Sequence, residues 1–156
     1  MRKAIFNINL NYTYDANRKG AKYTLDNEHY MNSGEFAEVA LKNAFGYEAV
    51  KDANTAFDEG SDIEQLQMSV KSSKATLTSV ILGKDLKSSL DTYFARTASN
   101  QWAWVILIEN TLTVYIMNES EFKEFTLNWA YYQTDRMTVR YKSTSGKMIK
   151  WLEEHL

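Results

Sequence analysis

Carboxylates, one lysine and a group of serines are the residues whose types and order could do chemistry in this chain. Glu35 and Glu38 stand one helical turn apart in Ser33-Gly34-Glu35-Phe36-Ala37-Glu38, and Asp62 follows in Gly60-Ser61-Asp62-Ile63, close to Asp58 and Glu59. Lys71 closes the run Leu66-Gln67-Met68-Ser69-Val70-Lys71, and Asp85 lies fourteen residues beyond it. There is no cysteine, and the only histidines are His29 and His155. Disulfides, thiolate metal sites and cysteine nucleophiles are therefore excluded, and a four-ligand zinc site lacks its donors. A metal would be held mainly by oxygen, which favours magnesium, manganese or calcium. The serines around Lys71 invite a Ser-Lys nucleophile, but no histidine is near them in sequence and no Ser-x-x-Lys opens a helix.

Periodicity shows which elements must carry these residues. Ala4 to Tyr14 alternates apolar and polar side chains and reads as a half-buried strand, while Asp15 to Met31 has no clear period and reads as an irregular excursion. Ser33 suits an N-cap, Phe36, Val39 and Ala40 recur at helical spacing, and Gly46 sits where a helix C-terminus belongs, so Glu35 and Glu38 fall on a helix. Leu66 to Lys71 reads as a strand with Gln67, Ser69 and Lys71 on one face. Ser79 to Ala95 reads as a helix that Gly83 can interrupt. The runs 102–108 and 112–117 predict a β-hairpin, and their β-branched and aromatic content suits the centre of a sheet. A helix from Glu119 to Tyr131 capped by Asn118 or Ser120, a strand from Met137 to Lys142 and a helix from Gly146 to His155 complete the chain.

The ordered set of a helix-borne acid, Gly60-Ser61-Asp62-Ile63 and then Ser69-Val70-Lys71-Ser72-Ser73 resembles the signature of PD-(D/E)XK nucleases, over roughly residues 33 to 110. The resemblance implies a restriction-endonuclease-like α/β fold, a mixed central sheet with a β-hairpin flanked by helices. It also implies a Mg²⁺- or Mn²⁺-dependent endodeoxyribonuclease with DNA as its partner, of the kind found in phage, mobile-element, restriction or recombination systems. On that pattern Asp62 is the bridging metal ligand, Lys71 approaches the attacking water, and Glu38 or Glu35 contacts the metal directly or through water. Such an arrangement suits phosphodiester hydrolysis, in which a metal lowers the pKa of water and a fixed cation stabilises developing charge. The chain departs from the family at Ser69, which stands where the family usually has an acid, and a hydroxyl is a poorer ligand for a hard dication. One subgroup of restriction enzymes with Ser-x-Lys carries the lost acid on the next helix; Asp85 stands at that place, although Lys84 replaces the subgroup's arginine. Gln67 is a second substitute, and Asp58 or Glu59 replaces Asp62 if the register differs. The alternative is a catalytically degenerate module on the same fold that binds nucleic acid or protein.

Composition sets the remaining bounds. With 156 residues, 44% hydrophobic and 24% charged, the chain suits a single folded domain spanning 1–156, with no repeat, linker or proline to divide it. The amino terminus reads as neither a signal peptide nor a membrane span, so the cytoplasm is the expected compartment and no membrane partner is expected. A net charge of −2 does not advertise a polyanionic partner, but Arg136, Arg140, Lys142, Lys147 and Lys150 gather near the carboxyl end as a candidate phosphate-contacting face. Trp102, Trp104, Tyr115, Trp129, Tyr131 and Tyr132 suit either base stacking or sheet packing. Trp-rich strands also suit a homodimer interface.

Overall fold

Two neighbouring runs rich in tryptophan, valine and isoleucine form the middle of the molecule. The computed structural model describes residues 1–47, 61–73, 76–77 and 83–156, with only the backbone of 76–77. In chain order the elements are β1 (Arg2–Asn7), β2 (Tyr12–Tyr14), β3 (Tyr23–Leu25), β4 (His29–Met31), α1 (Ser33–Ala44), a 3₁₀ turn (Glu64–Leu66), β5 (Met68–Lys71) and β6 (Thr76–Leu77). There follow α2 (Leu86–Arg96), β7 (Gln101–Ile108), β8 (Thr111–Met117), α3 (Glu119–Trp129), β9 (Ala130–Gln133), β10 (Thr138–Tyr141) and α4 (Gly146–Glu154). This is a mixed α/β architecture. The central sheet has the order β1-β8-β7-β5, antiparallel except where β5 runs parallel to β7. Parallel neighbours need a crossover, and α2 lies on the path between them.

β7 is buried on both faces, which is why its sequence is a continuous apolar run rather than an alternation. Trp102, Trp104 and Ile106 enter a core with α2, α3 and α4, where Trp102 stacks on Phe122 with ring centroids 5.2 Å apart. Ala103 and Val105 enter the opposite core with α1 and the first strands. Each large side chain so buried stabilises the fold by roughly 1.5–3 kcal/mol before entropy is counted. The expected hairpin is the centre of the sheet; its turn is Glu109-Asn110, with Glu109 in a left-handed conformation at φ 51°.

Several expectations need correction. The alternation from Ala4 to Tyr14 is divided: β1 pairs with β8, whereas β2 joins β3 and β4 in a separate antiparallel sheet. Residues 15–31 therefore contain strands, each of three residues and too short to show a period; Asp26 and Asn27 turn the β3–β4 hairpin at φ 52° and 60°. The N-cap of α1 is Asn32 rather than Ser33, and its side chain accepts from the Glu35 N–H at 2.9 Å; Gly46, at φ 83°, follows the helix as expected. The residues after Trp129 leave α3 and form β9, which pairs with β10. The start of the helix expected from Ser79 lies outside the described residues, and α2 is capped by Asp85. No helix among the described residues is long and apolar enough to cross a membrane.

Candidate active site

Asp62 is brought back against β5, the strand that ends in Lys71, by a tight reversal of the chain that precedes the strand. The 3₁₀ turn and Gln67, left-handed at φ 47°, make that reversal, so that Ile63 pairs with Met68 through N–H···O bonds of 2.9 and 3.1 Å. Asp62 is thereby laid along the edge of β5 that faces away from β7. There the Val70 N–H donates to Asp62 Oδ2 at 2.7 Å, and the carboxylate satisfies an edge donor that would otherwise need water. Lys71 is the next residue, half-buried, and neither it nor Asp62 has an ion-pair partner among the described residues.

Alternation along β5 divides the neighbouring candidates between two layers. Met68 and Val70 belong to the core shared with α1, so Ser69 and Lys71 point to the other face, opposite Trp102 and Trp104 in the register. Glu38 is buried, 8% exposed, on α1, in the layer of Met68 and Val70. Glu35 is half-buried one turn earlier. The structure thus keeps Glu38 near β5 but on the face that Lys71 does not use. Gln67 is not on the strand face at all: its left-handed backbone takes it out of the alternation, and its Oε1 accepts from Asn100 Nδ2 at 2.9 Å. Its carbonyl accepts from the N–H groups of Asn100 and Gln101, so Gln67 anchors the entry to β7.

Ser69 is engaged as well. Its hydroxyl lies 2.7 Å from that of Ser99, which lies 2.9 Å from that of Ser61, giving a short hydroxyl chain across three segments. No sequence period announces Ser99, because the contact joins residues thirty apart through the parallel pairing. Asp85 caps α2: its carboxylate accepts from the Ser88 N–H at 2.8 Å, and the hydrogen bonds from Ser88 hold it below the usual carboxylate range. Asp58 and Glu59 lie outside the described residues, among which no three histidine, aspartate or glutamate residues gather as a metal site.

The wider surroundings separate packing from surface. Trp102, Trp104 and Tyr115 are core residues, each at most 1% exposed, and are not available to stack on bases. Trp129 and Tyr132 are partly buried against the same core, and Tyr131 is exposed. Arg136, Lys142, Lys147 and Lys150 are exposed and Arg140 is half-buried; none has a carboxylate partner among the described residues. Comparison of the chain with protein-family models, curated proteins and solved structures finds no match.

Proposed function

We propose that the chain is a metal-dependent deoxyribonuclease built on a restriction-endonuclease-like variant of its α/β architecture. The observation that carries this reading is Asp62, held by the Val70 N–H on the edge of β5 at the residue just before Lys71. Asp62 Oδ1 accepts no hydrogen bond among the described residues and is the oxygen left for a cation. Magnesium is often held by one or two carboxylates, with waters and substrate phosphate completing its shell, so a single Asp62 fits at the lower limit of that donor set. When bound, such an ion would supply a polarised phosphoryl oxygen and a more acidic water. Lys71 contributes a cation for the charge that develops on the phosphate, and the cations near the carboxyl end, which have no carboxylate partner among the described residues, suit the flanking phosphates of DNA.

One observation favours a second reading. The Ser61–Ser99–Ser69 chain replaces a carboxylate by neutral, mutually satisfied hydroxyls, as expected of a module that binds nucleic acid without cutting it. Incubation with plasmid, linear and branched DNA in Mg²⁺, Mn²⁺ and EDTA separates the two. A nuclease should give cleavage that needs metal and disappears in Lys71→Ala; binding of DNA with no cleavage of any form supports the module instead.

A further inference from the structure

One residue beyond Lys71, the chain enters the wall of an open cavity of about 440 Å³, within the usual size of ligand pockets. Its floor is the carboxyl end of β7, residues 105–108, and its polar lining consists of hydroxyls: Tyr23, Ser33, Ser72, Ser73, Thr144 and Ser145. No carboxylate among the described residues lines it. The amino ends of two helices reach it, α1 through Ser33 and α4 through Ser145 and Gly146.

The donors at the α4 end are unspent. The Ser145 hydroxyl accepts from the Met148 N–H, and the Ser145 carbonyl accepts from Ile149, which leaves the N–H groups of Gly146 and Lys147 without partners among the described residues. Such groups carry the positive end of the helix and bind anions readily. Ser72 is an independent sign: the residue is nine-tenths buried, lines the cavity and has no hydrogen-bond partner among the described residues. With the rest of the residue packed away and no protein partner for its hydroxyl among the described residues, Ser72 offers a free hydrogen-bonding group to whatever enters the cavity. Ser73 ties the two walls together, donating to Thr144 Oγ1 at 2.8 Å and accepting from the Thr144 N–H at 2.7 Å. Lys142 and Lys147 stand exposed on either side of that loop with no ion-pair partner among the described residues.

We propose that this cavity is a phosphate-binding site in which the Ser72 hydroxyl and the free N–H of Gly146 hold the anion. Phosphate binding here requires neither metal nor hydrolysis, so it goes beyond the nuclease reading and survives the failure of that reading. The phosphate can belong to free inorganic phosphate or to the end of a nucleotide chain.

Titrations in EDTA, followed through the backbone amide signals of ¹⁵N-labelled protein, test this with three probes: inorganic phosphate, a 5′-phosphorylated oligonucleotide and the same oligonucleotide without the phosphate. Inorganic phosphate should shift the Gly146 amide, the phosphorylated oligonucleotide should shift it as well if the site takes a chain end, and the unphosphorylated one should leave it unmoved. Gly146→Pro removes one donor at a position where proline is favoured and where the open space around Gly146 admits a side chain, so it should weaken binding roughly tenfold or more. Gly146→Ala keeps the N–H and should bind as the parent does; Ser72→Ala should bind several-fold more weakly. A Gly146 amide unmoved by millimolar phosphate in the parent protein, or unchanged affinity in both Gly146→Pro and Ser72→Ala, would overturn the site.

Discussion

Asp62 has two tasks that substitution can separate. Its Oδ2 accepts the Val70 N–H, and its charge is what a cation would need. Asp62→Asn keeps an acceptor for Val70 and should unfold in urea within a few tenths of a kcal/mol of the parent, whereas Asp62→Ala should be destabilised by about 1 kcal/mol; both should lose metal-dependent cleavage. Equal stability of the two variants would show that the hydrogen bond to Val70 carries no weight. Tyr141 is a residue whose acidity is set by its surroundings. Burial pushes its hydroxyl well above the ordinary tyrosine range, and the hydrogen bond with Thr126 at 2.6 Å offsets this only in part. With the folded pKa above the unfolded value of 10.0, the stabilisation is fully present below about pH 10 and is lost as pH rises beyond it. Urea titrations should therefore show stability falling above pH 10, and the fall should be shallower in Tyr141→Phe.

The elements legible in the sequence are those with length and periodicity enough to display their burial. The β7–β8 hairpin, α3 and α4 are readable because long apolar runs and amphipathic spacing persist over seven or more residues, and Asn118, one of the two caps the sequence offers for α3, is the one used. The β2–β3–β4 sheet is not, since three-residue strands repeat nothing. Within the candidate site, the motif order puts Asp62 just before the strand that carries Lys71, but two placements are not legible. Gln67 leaves the strand face through a left-handed backbone that period-two reasoning cannot see, and nothing in the pattern of Phe36, Val39 and Ala40 tells which face of the sheet α1 covers. Asp85 also belongs to this scale, because α2 uses it as its cap. Asp85→Asn preserves a good N-cap, so thermal unfolding and cleavage should both match the parent; loss of cleavage with an unchanged melting temperature would instead make Asp85 the relocated carboxylate.

At the scale of the whole molecule, a net charge of −2 conceals an uneven distribution, in which the cations of the last β-hairpin and α4 have no carboxylate partners among the described residues. If that surface tracks a DNA backbone, replacing Lys142, Lys147 and Lys150 by glutamine should weaken binding to all sequences alike. The slope of log affinity against log salt should fall by about one for each phosphate that the surface no longer neutralises. An unchanged slope in the triple variant would remove this surface from the interface. The metal and the lysine concern the other end of the same question, whether bound DNA is cut. The most direct test is cleavage of supercoiled plasmid in Mn²⁺ by the parent and by Asp62→Asn at matched stability. The parent should give nicked or linear product that EDTA and Asp62→Asn each abolish; cleavage by Asp62→Asn equal to that of the parent would contradict a metal-dependent nuclease centred on this carboxylate.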